Sequence, residues 1–218
     1  VAGRKQSHGR NQYVLDFSRP EVVDYIHDAI YKVLSTADIS YIKWDMNRSI
    51  TECGSAGWPA AQQGEIFHRY ILGVYDLYER LTSEFPHILF ESCASGGGRF
   101  DPGMFYYAPQ AWASDDSDGC ERLFIQYGTS YCYPLSFIGS HVSITPNHQV
   151  FRNTSLKFRG DVAYFGSFGY ELDLGRLSPE EFEEVKEQIK FMKKYRQLIQ
   201  YGTFYRIKDP FAGNEAAW

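Results

Sequence analysis

The chain has 218 residues, enough for one domain with a full hydrophobic core. Its formal charge of -5 points neither to nucleic acid nor to an anionic membrane as a partner. No apolar run approaches the roughly 18 residues of a membrane span.

No signal peptide is visible, and the chain opens at Val1 without Met, so it reads as cut from something longer. Aromatic residues make up 17%, which suits a carbohydrate-handling surface and a large aromatic core equally well. Cys53, Cys93, Cys120 and Cys132 fall at no metal-ligand spacing. They read as free thiols in a reducing compartment, which makes a cytoplasmic location the expectation.

Val1 to Asn11 is polar and Gly-rich and reads as a loop. Gln12 to Phe17 is a short strand candidate. Ser18-Arg19-Pro20-Glu21 is a capping-box signature with Pro in the first turn. The helix it opens should turn Val22, Ile26, Ala29, Ile30 and Val33 inward. The run 39–45 then reads as a buried strand ending in charge, Ile-Ser-Tyr-Ile-Lys-Trp-Asp. Glu52 to Gln63, with two glycines and Pro59, is a long loop. A helix follows over about 64–83, with Phe67, Tyr70, Ile71, Val74, Leu77 and Leu81 inward.

His87 to Ser92 is the next strand, running into the glycine-rich loop Cys93 to Arg99. Gln110 to Ser114 reads as a strand ending in Asp115-Asp116-Ser117-Asp118. Helices are expected over about 119–130 and near 152–160, with strands at Leu135–Ser140 and Ala163–Leu172. Ser178-Pro179-Glu180-Glu181 is a second capping box. It opens a long helix to about Tyr201, with Phe182, Val185, Ile189, Met192 and Ile199 on its inner face.

Strands alternating with helices imply parallel βα units, about five and part of a sixth. The chemistry-bearing residues fall at the C-terminal ends of strands. That is the active face of a βα-barrel and equally of an open doubly wound sheet.

Three stretches carry that chemistry. Lys43 and Asp45 are two apart on one strand and so project to one side. Such a pair is either a structural ion pair or a working one. Gly96, Gly97 and Gly98 lack the lysine of a phosphate loop and the dinucleotide spacing, but let backbone approach a ligand closely. In the third stretch Asp118 with Glu121 looks like a helix cap, and strand alternation does not choose between Asp115 and Asp116. A Cys93 nucleophile with His141 or His148 has no local signature behind it. The aspartates have no supporting histidine for a metal, and no cofactor motif is present. Two carboxylates at the ends of different strands match glycoside hydrolysis better.

The motifs YIKWDMNR, ESCASGGGRFD, WASDDSD and ERLFIQYGTSYCYP, with GRNQYVLDFSRPEVV upstream, closely resemble the α-galactosidases of glycoside hydrolase family 36. The resemblance runs over essentially the whole chain. It implies a (β/α)8 catalytic barrel of which residues 1–203 would be the C-terminal two-thirds, with 204–218 starting a C-terminal β-domain. It implies retaining hydrolysis of terminal α-galactosides such as melibiose and raffinose, with no cofactor or metal and with a homo-oligomer, a tetramer, for the intact protein.

By the motif matches Asp45 would be the nucleophile and Asp115 the acid/base. Lys43 and Arg10 would bind galactose hydroxyls, Cys93 and the Gly96 backbone would lie near the 2-hydroxyl, and Asn47 would support the nucleophile's surroundings. Galactosyl transfer of the raffinose-synthase type and a non-catalytic carbohydrate-binding role are the alternatives. The family's early barrel strands, with an Asp pair and Trp residues that complete the galactose site, would lie before Val1, so the chain alone is expected to be inactive.

Overall fold

The computed structural model describes residues 7–9 and 11–218. The chain divides into two compact units, Val1–Pro109 and Gln110–Trp218.

In the first unit the order is helix α1 (Pro20–Leu34), strand β1 (Tyr41–Asp45), a 3-10 turn (Ala60–Glu65), helix α2 (Ile66–Glu84), strand β2 (Leu89–Cys93) and helix α3 (Pro102–Tyr107). β1 and β2 pair in parallel with Tyr41 opposite Leu89, Lys43 opposite Glu91 and Asp45 opposite Cys93. The core forms where α1 and α2 lie on this pair. It holds Val23, Leu34, Val74, Leu77, Tyr78, Leu81 and Phe90, with Ile42 and Trp44 of β1 packed against it. β1 therefore turns Ile42 and Trp44 to the helices and Lys43 and Asp45 away from them, as a period of two requires.

Gln12–Phe17 forms no strand; Phe17 instead brings its carbonyl onto α2, where a Cβ on Gly73 would stand 1.8 Å from the carbonyl oxygen. Ser18 is not a cap: its hydroxyl donates to Asp16, and Arg19 holds the N-cap position of α1 without a side-chain bond. On α1, Ile26 and Ile30 of the expected stripe pack against the core, while the fully buried positions lie one residue along from Val22, Ile26 and Val33. Val23, His27 and Leu34 are buried, while Val33 is exposed. The purely apolar stripe missed this because His27 tolerates burial through hydrogen bonds to Glu84 and Asp28. α3, capped by Asp101, stands where no helix was expected.

In the second unit the order is strand β3 (Gln110–Ala111), helix α4 (Gly119–Thr129), strand β4 (Gly139–Ser143), helix α5 (Leu156–Ala163), strand β5 (Ser167–Glu171) and helix α6 (Pro179–Tyr201). β4 and β5 are parallel, with Gly139 opposite Ser167. A parallel bridge joins Ala111 to Ile138. Val142, Leu156, Ala163 and Val185 form the core between strand and helices. The expected strand 110–114 is only two residues long. The expected strand 135–140 begins instead as a 3-10 turn (Leu135–Phe137), with the pairing displaced to 139–143. The Ser178–Glu181 capping box is fully formed, worth about 1 kcal/mol for its Ser bond. On α6, Val185 and Met192 are buried as expected, Phe182 is exposed, and Gln188 takes a buried place by accepting from Tyr170.

Both units are βα structures with parallel strands, and neither closes a barrel by itself. Among the described residues no helix is long and apolar enough to cross a membrane.

Candidate active site

In the first unit four polar side chains meet at the C-terminal ends of β1 and β2. The parallel register sets Lys43 against Glu91 and Asp45 against Cys93 on one face. Lys43 Nζ stands 3.8 Å from Glu91 Oε1; the carboxylate is almost fully buried and the ammonium half exposed. The lysine thus pairs across the strands with Glu91, a residue to which the sequence reading gave no role. The available signal was Glu91's place two residues before Cys93, on the same side of its strand.

Asp45 is exposed at the end of β1. Its Oδ2 accepts a hydrogen bond of 2.6 Å from Asn47 Nδ2. Asn47 Oδ1 in turn accepts from the backbone N–H of Ser95 at 2.9 Å, and the Ser95 hydroxyl donates to the Asn47 carbonyl at 3.2 Å. One amide side chain therefore ties Asp45 to the glycine-rich loop. The ladder is extended by Met46 N–H donating to the Cys93 carbonyl at 2.8 Å.

The loop after β2 turns sharply. Ser95 and Gly96 both adopt positive φ, 52° and 71°. A Cβ on Gly98 would stand 2.5 Å from the Ala94 carbonyl oxygen, so the close backbone approach excludes a side chain there. Arg99 closes the arrangement by donating to the carbonyls of Met46 at 2.6 Å and Arg48 at 3.5 Å.

Burial pushes the Cys93 thiol pKa up, and its hydrogen bond to Asp45 and that carboxylate's charge push the same way. The Gly96 N–H and the Lys43 charge pull against them. A thiol held protonated beside a carboxylate is the opposite of an activated nucleophile. It is instead a small donor set next to Asp45. All four cysteines are free.

The structure thus brings together Lys43, Asp45, Asn47, Cys93 and Gly96. Arg10 lies outside the described residues.

The second unit carries the acidic turn after β3. Asp116 N–H donates to Ser114 Oγ at 3.1 Å, and Asp116 Oδ1 accepts from Asp118 N–H at 3.0 Å. Asp118 caps α4 by accepting from Cys120 and Glu121 N–H, and it also accepts from Arg152. The expected cap is therefore present. Ser117 is held from outside the turn: its N–H donates to Gln149 Oε1 at 3.0 Å, and its hydroxyl accepts from Asn147 Nδ2 at 3.3 Å. Asp116 and Asp118 are committed to the backbone of the turn, while Asp115 is solvent-exposed.

Behind the turn lies Arg122, which is buried. Burial pushes its pKa down to about 10, with Asp116 and Glu171 offsetting part of the fall. Trp112 packs edge-on to His141 at 4.6 Å, and the Arg122 guanidinium sits 5.4 Å from the Trp112 ring centre. Among the described residues no three His, Cys, Asp or Glu side chains gather as a metal site.

Known proteins resemble this chain throughout. The α-galactosidase AgaA of Geobacillus stearothermophilus is 58% identical over 218 residues, which is all of this chain and 30% of that enzyme. The crystal structure of AgaA, a family 36 α-galactosidase, matches with a TM-score of 0.97 over 100% of this chain and 30% of its own. A variant of AgaA in complex with raffinose matches with a TM-score of 0.96 at 57% identity, over 99% of this chain and 30% of its own. The chain spans 30% of the length of AgaA and of other curated relatives it matches. The melibiase profile matches residues 1–202. With that match and 58% identity from end to end, the chain belongs to the melibiase family.

Proposed function

We propose that this chain carries the two catalytic carboxylates of a retaining α-galactosidase, with Asp45 as nucleophile and Asp115 as acid/base. In this reading residues 1–203 are the later part of a (β/α)8 barrel, and residues 204–218 begin a C-terminal β-domain. The observation that carries it is the setting of Asp45. It ends a parallel strand, one oxygen is fixed by Asn47 at 2.6 Å, and Cys93 stands opposite, its thiol pKa raised by burial and by the carboxylate beside it. The relatives' own names give the substrate class: AgaA is an α-galactosidase, and its variant holds raffinose.

The reaction runs in two displacements. Asp45 attacks the anomeric carbon as Asp115 gives its proton to the departing glycosidic oxygen, and a galactosyl ester on Asp45 forms. Asp115, now a carboxylate, takes a proton from water; the hydroxyl adds to the anomeric carbon and Asp45 leaves. Developing positive charge on the sugar ring is met by the Asp45 carboxylate on one face. Lys43, braced by Glu91, and the Cys93–Gly96 corner supply donors for ring hydroxyls. The choice of Asp115 over Asp116 is supported by their surroundings, since Asp116 already accepts from the turn while Asp115 is exposed.

The test is the anomer released first from an aryl α-galactoside, followed by proton NMR in the whole protein that contains this chain. Retention gives α-galactose before mutarotation. First release of the β-anomer would replace the double displacement by a single inverting one.

A further inference from the structure

Arg122 stands out as a buried charge that the mechanism above does not use. It lies on α4, and its guanidinium is spread over three elements of the second unit. Nε donates to Gln126 Oε1 at 3.0 Å, Nη1 to the Ser114 carbonyl at 3.4 Å, and Nη2 to the Gly139 carbonyl. Among the described residues no carboxylate lies within ion-pair distance of it, so a full charge is buried against neutral acceptors. That is a costly choice where an apolar side chain of similar volume would pack at least as well.

The network continues through Gln126. Its Oε1 also accepts from Ser140 Oγ at 2.9 Å, and its Nε2 donates to the Phe165 carbonyl at 2.9 Å and the Val162 carbonyl at 3.2 Å. The residue pair Arg122–Gln126 therefore fastens the chain after β3 to the start of β4 and the end of α5. The Ser114 carbonyl is the critical contact. It shares one rigid peptide plane with the N–H of Asp115. Holding that carbonyl fixes the axis from which the Asp115 side chain departs.

Resting on the reading of Asp115 as acid/base, we propose that Arg122 is a positioning residue for proton delivery: it sets the direction of Asp115 through the Ser114 peptide. It touches no substrate. Its loss should therefore cost only the part of the rate that depends on a well-aimed proton. A planar fork can hold two carbonyls at once, which a lysine's ammonium cannot reproduce with the same geometry.

The experiment compares kcat/KM for raffinose and for a dinitrophenyl α-galactoside in the whole protein, for the parent, Arg122→Met, Arg122→Lys and Asp115→Ala. The dinitrophenolate leaves without protonation, so it does not report acid catalysis. Arg122→Met should lose about 10²-fold on raffinose, the scale of a misaimed catalytic group, and change little on the dinitrophenyl substrate. Arg122→Lys should fall between, with the same asymmetry, and it carries the test if the methionine variant does not fold. Equal losses on both substrates, or no loss on raffinose, in a folded Arg122 variant overturn the proposal while Asp115→Ala keeps its asymmetry. If Asp115→Ala itself loses both substrates equally, the acid/base reading fails and this inference with it.

Discussion

Asp45 and Cys93 stand directly opposite one another at the C-terminal ends of two parallel strands, so the thiol lies beside a carboxylate. Burial, then Asp45, holds the thiol protonated above its ordinary range. Alkylation needs the thiolate and access, and Cys93 has little of either. Iodoacetamide near pH 8 should modify exposed Cys132 first and Cys93 last, read by peptide mass spectrometry over time. Asp45→Asn removes the negative charge and should speed Cys93 modification. Cys93 reacting as fast as Cys132 would contradict the buried, carboxylate-facing placement.

Asp45→Ala in the whole protein should remove at least about 10³-fold of kcat on an aryl α-galactoside, because no covalent ester can form. Asn47→Ala should cost less, since it frees the carboxylate's orientation without deleting it. Steady-state kinetics on both variants check the order. An Asp45→Ala enzyme retaining a tenth of its turnover would move the nucleophile elsewhere.

The ends of β1 and β2 were legible because short apolar runs meet charge there, and a period of two puts Lys43 and Asp45 on one side. The alternation could not show what each faces. Glu91 meets Lys43 only through the inter-strand register, and register between distant runs is set by packing. Gln12–Phe17 has a strand-like composition, yet its Phe17 carbonyl is wanted against Gly73 of α2, and the chain there bends to supply it. The sequence pattern gives the cap where the side chain still reaches the helix N–H groups, as at Ser178 and at Asp118, whose carboxylate accepts from Arg152 as well. At Ser18 the nearby Asp16 carboxylate took the hydroxyl first. Arg122 gave no signal because a lone arginine in a helix reads as a solvated face.

His27 bridges the two helices of the first unit's core, with Nε2 2.8 Å from Glu84 and Nδ1 3.0 Å from Asp28. Burial lowers its pKa, but the hydrogen bonds to Glu84 and Asp28 outweigh burial, and the net shift is upward from 6.5. A raised folded pKa means the folded state binds the proton more tightly than the unfolded one. The contribution is therefore full below the unfolded value and is lost as pH rises through the folded value. The Tm difference between parent and His27→Gln should be largest at about pH 5.5–6 and shrink toward pH 8, the span over which such a histidine titrates. A difference that grows with pH would reverse the sign of the shift.

Asp115 and Asp116 are neighbours with opposite commitments, and that separates them experimentally. Asp116 Oδ1 holds the Asp118 N–H at 3.0 Å, and Asp118 caps α4. Asp116→Ala should therefore destabilise the protein by about 0.5–1.5 kcal/mol, the worth of a net hydrogen bond, measured as a fall in denaturation midpoint. Any kinetic loss should fall mainly on the poor leaving group, as for Arg122→Met, because it loosens the turn that carries Asp115, and it should stay well short of the Asp115→Ala loss. Asp115 is exposed, so Asp115→Ala should change stability by no more than about 0.5 kcal/mol. Its rate on raffinose should fall about 10²–10⁴-fold, the usual range for a lost general acid, while a dinitrophenyl galactoside still forms the galactosyl ester. Turnover of that ester should then slow, since the same residue must deprotonate water, and a burst of dinitrophenolate should precede the steady state. Azide needs no deprotonation and should restore turnover of Asp115→Ala, with galactosyl azide as product. If the burst and the azide rescue belong to Asp116→Ala instead, the proton donor is Asp116, one residue along the turn.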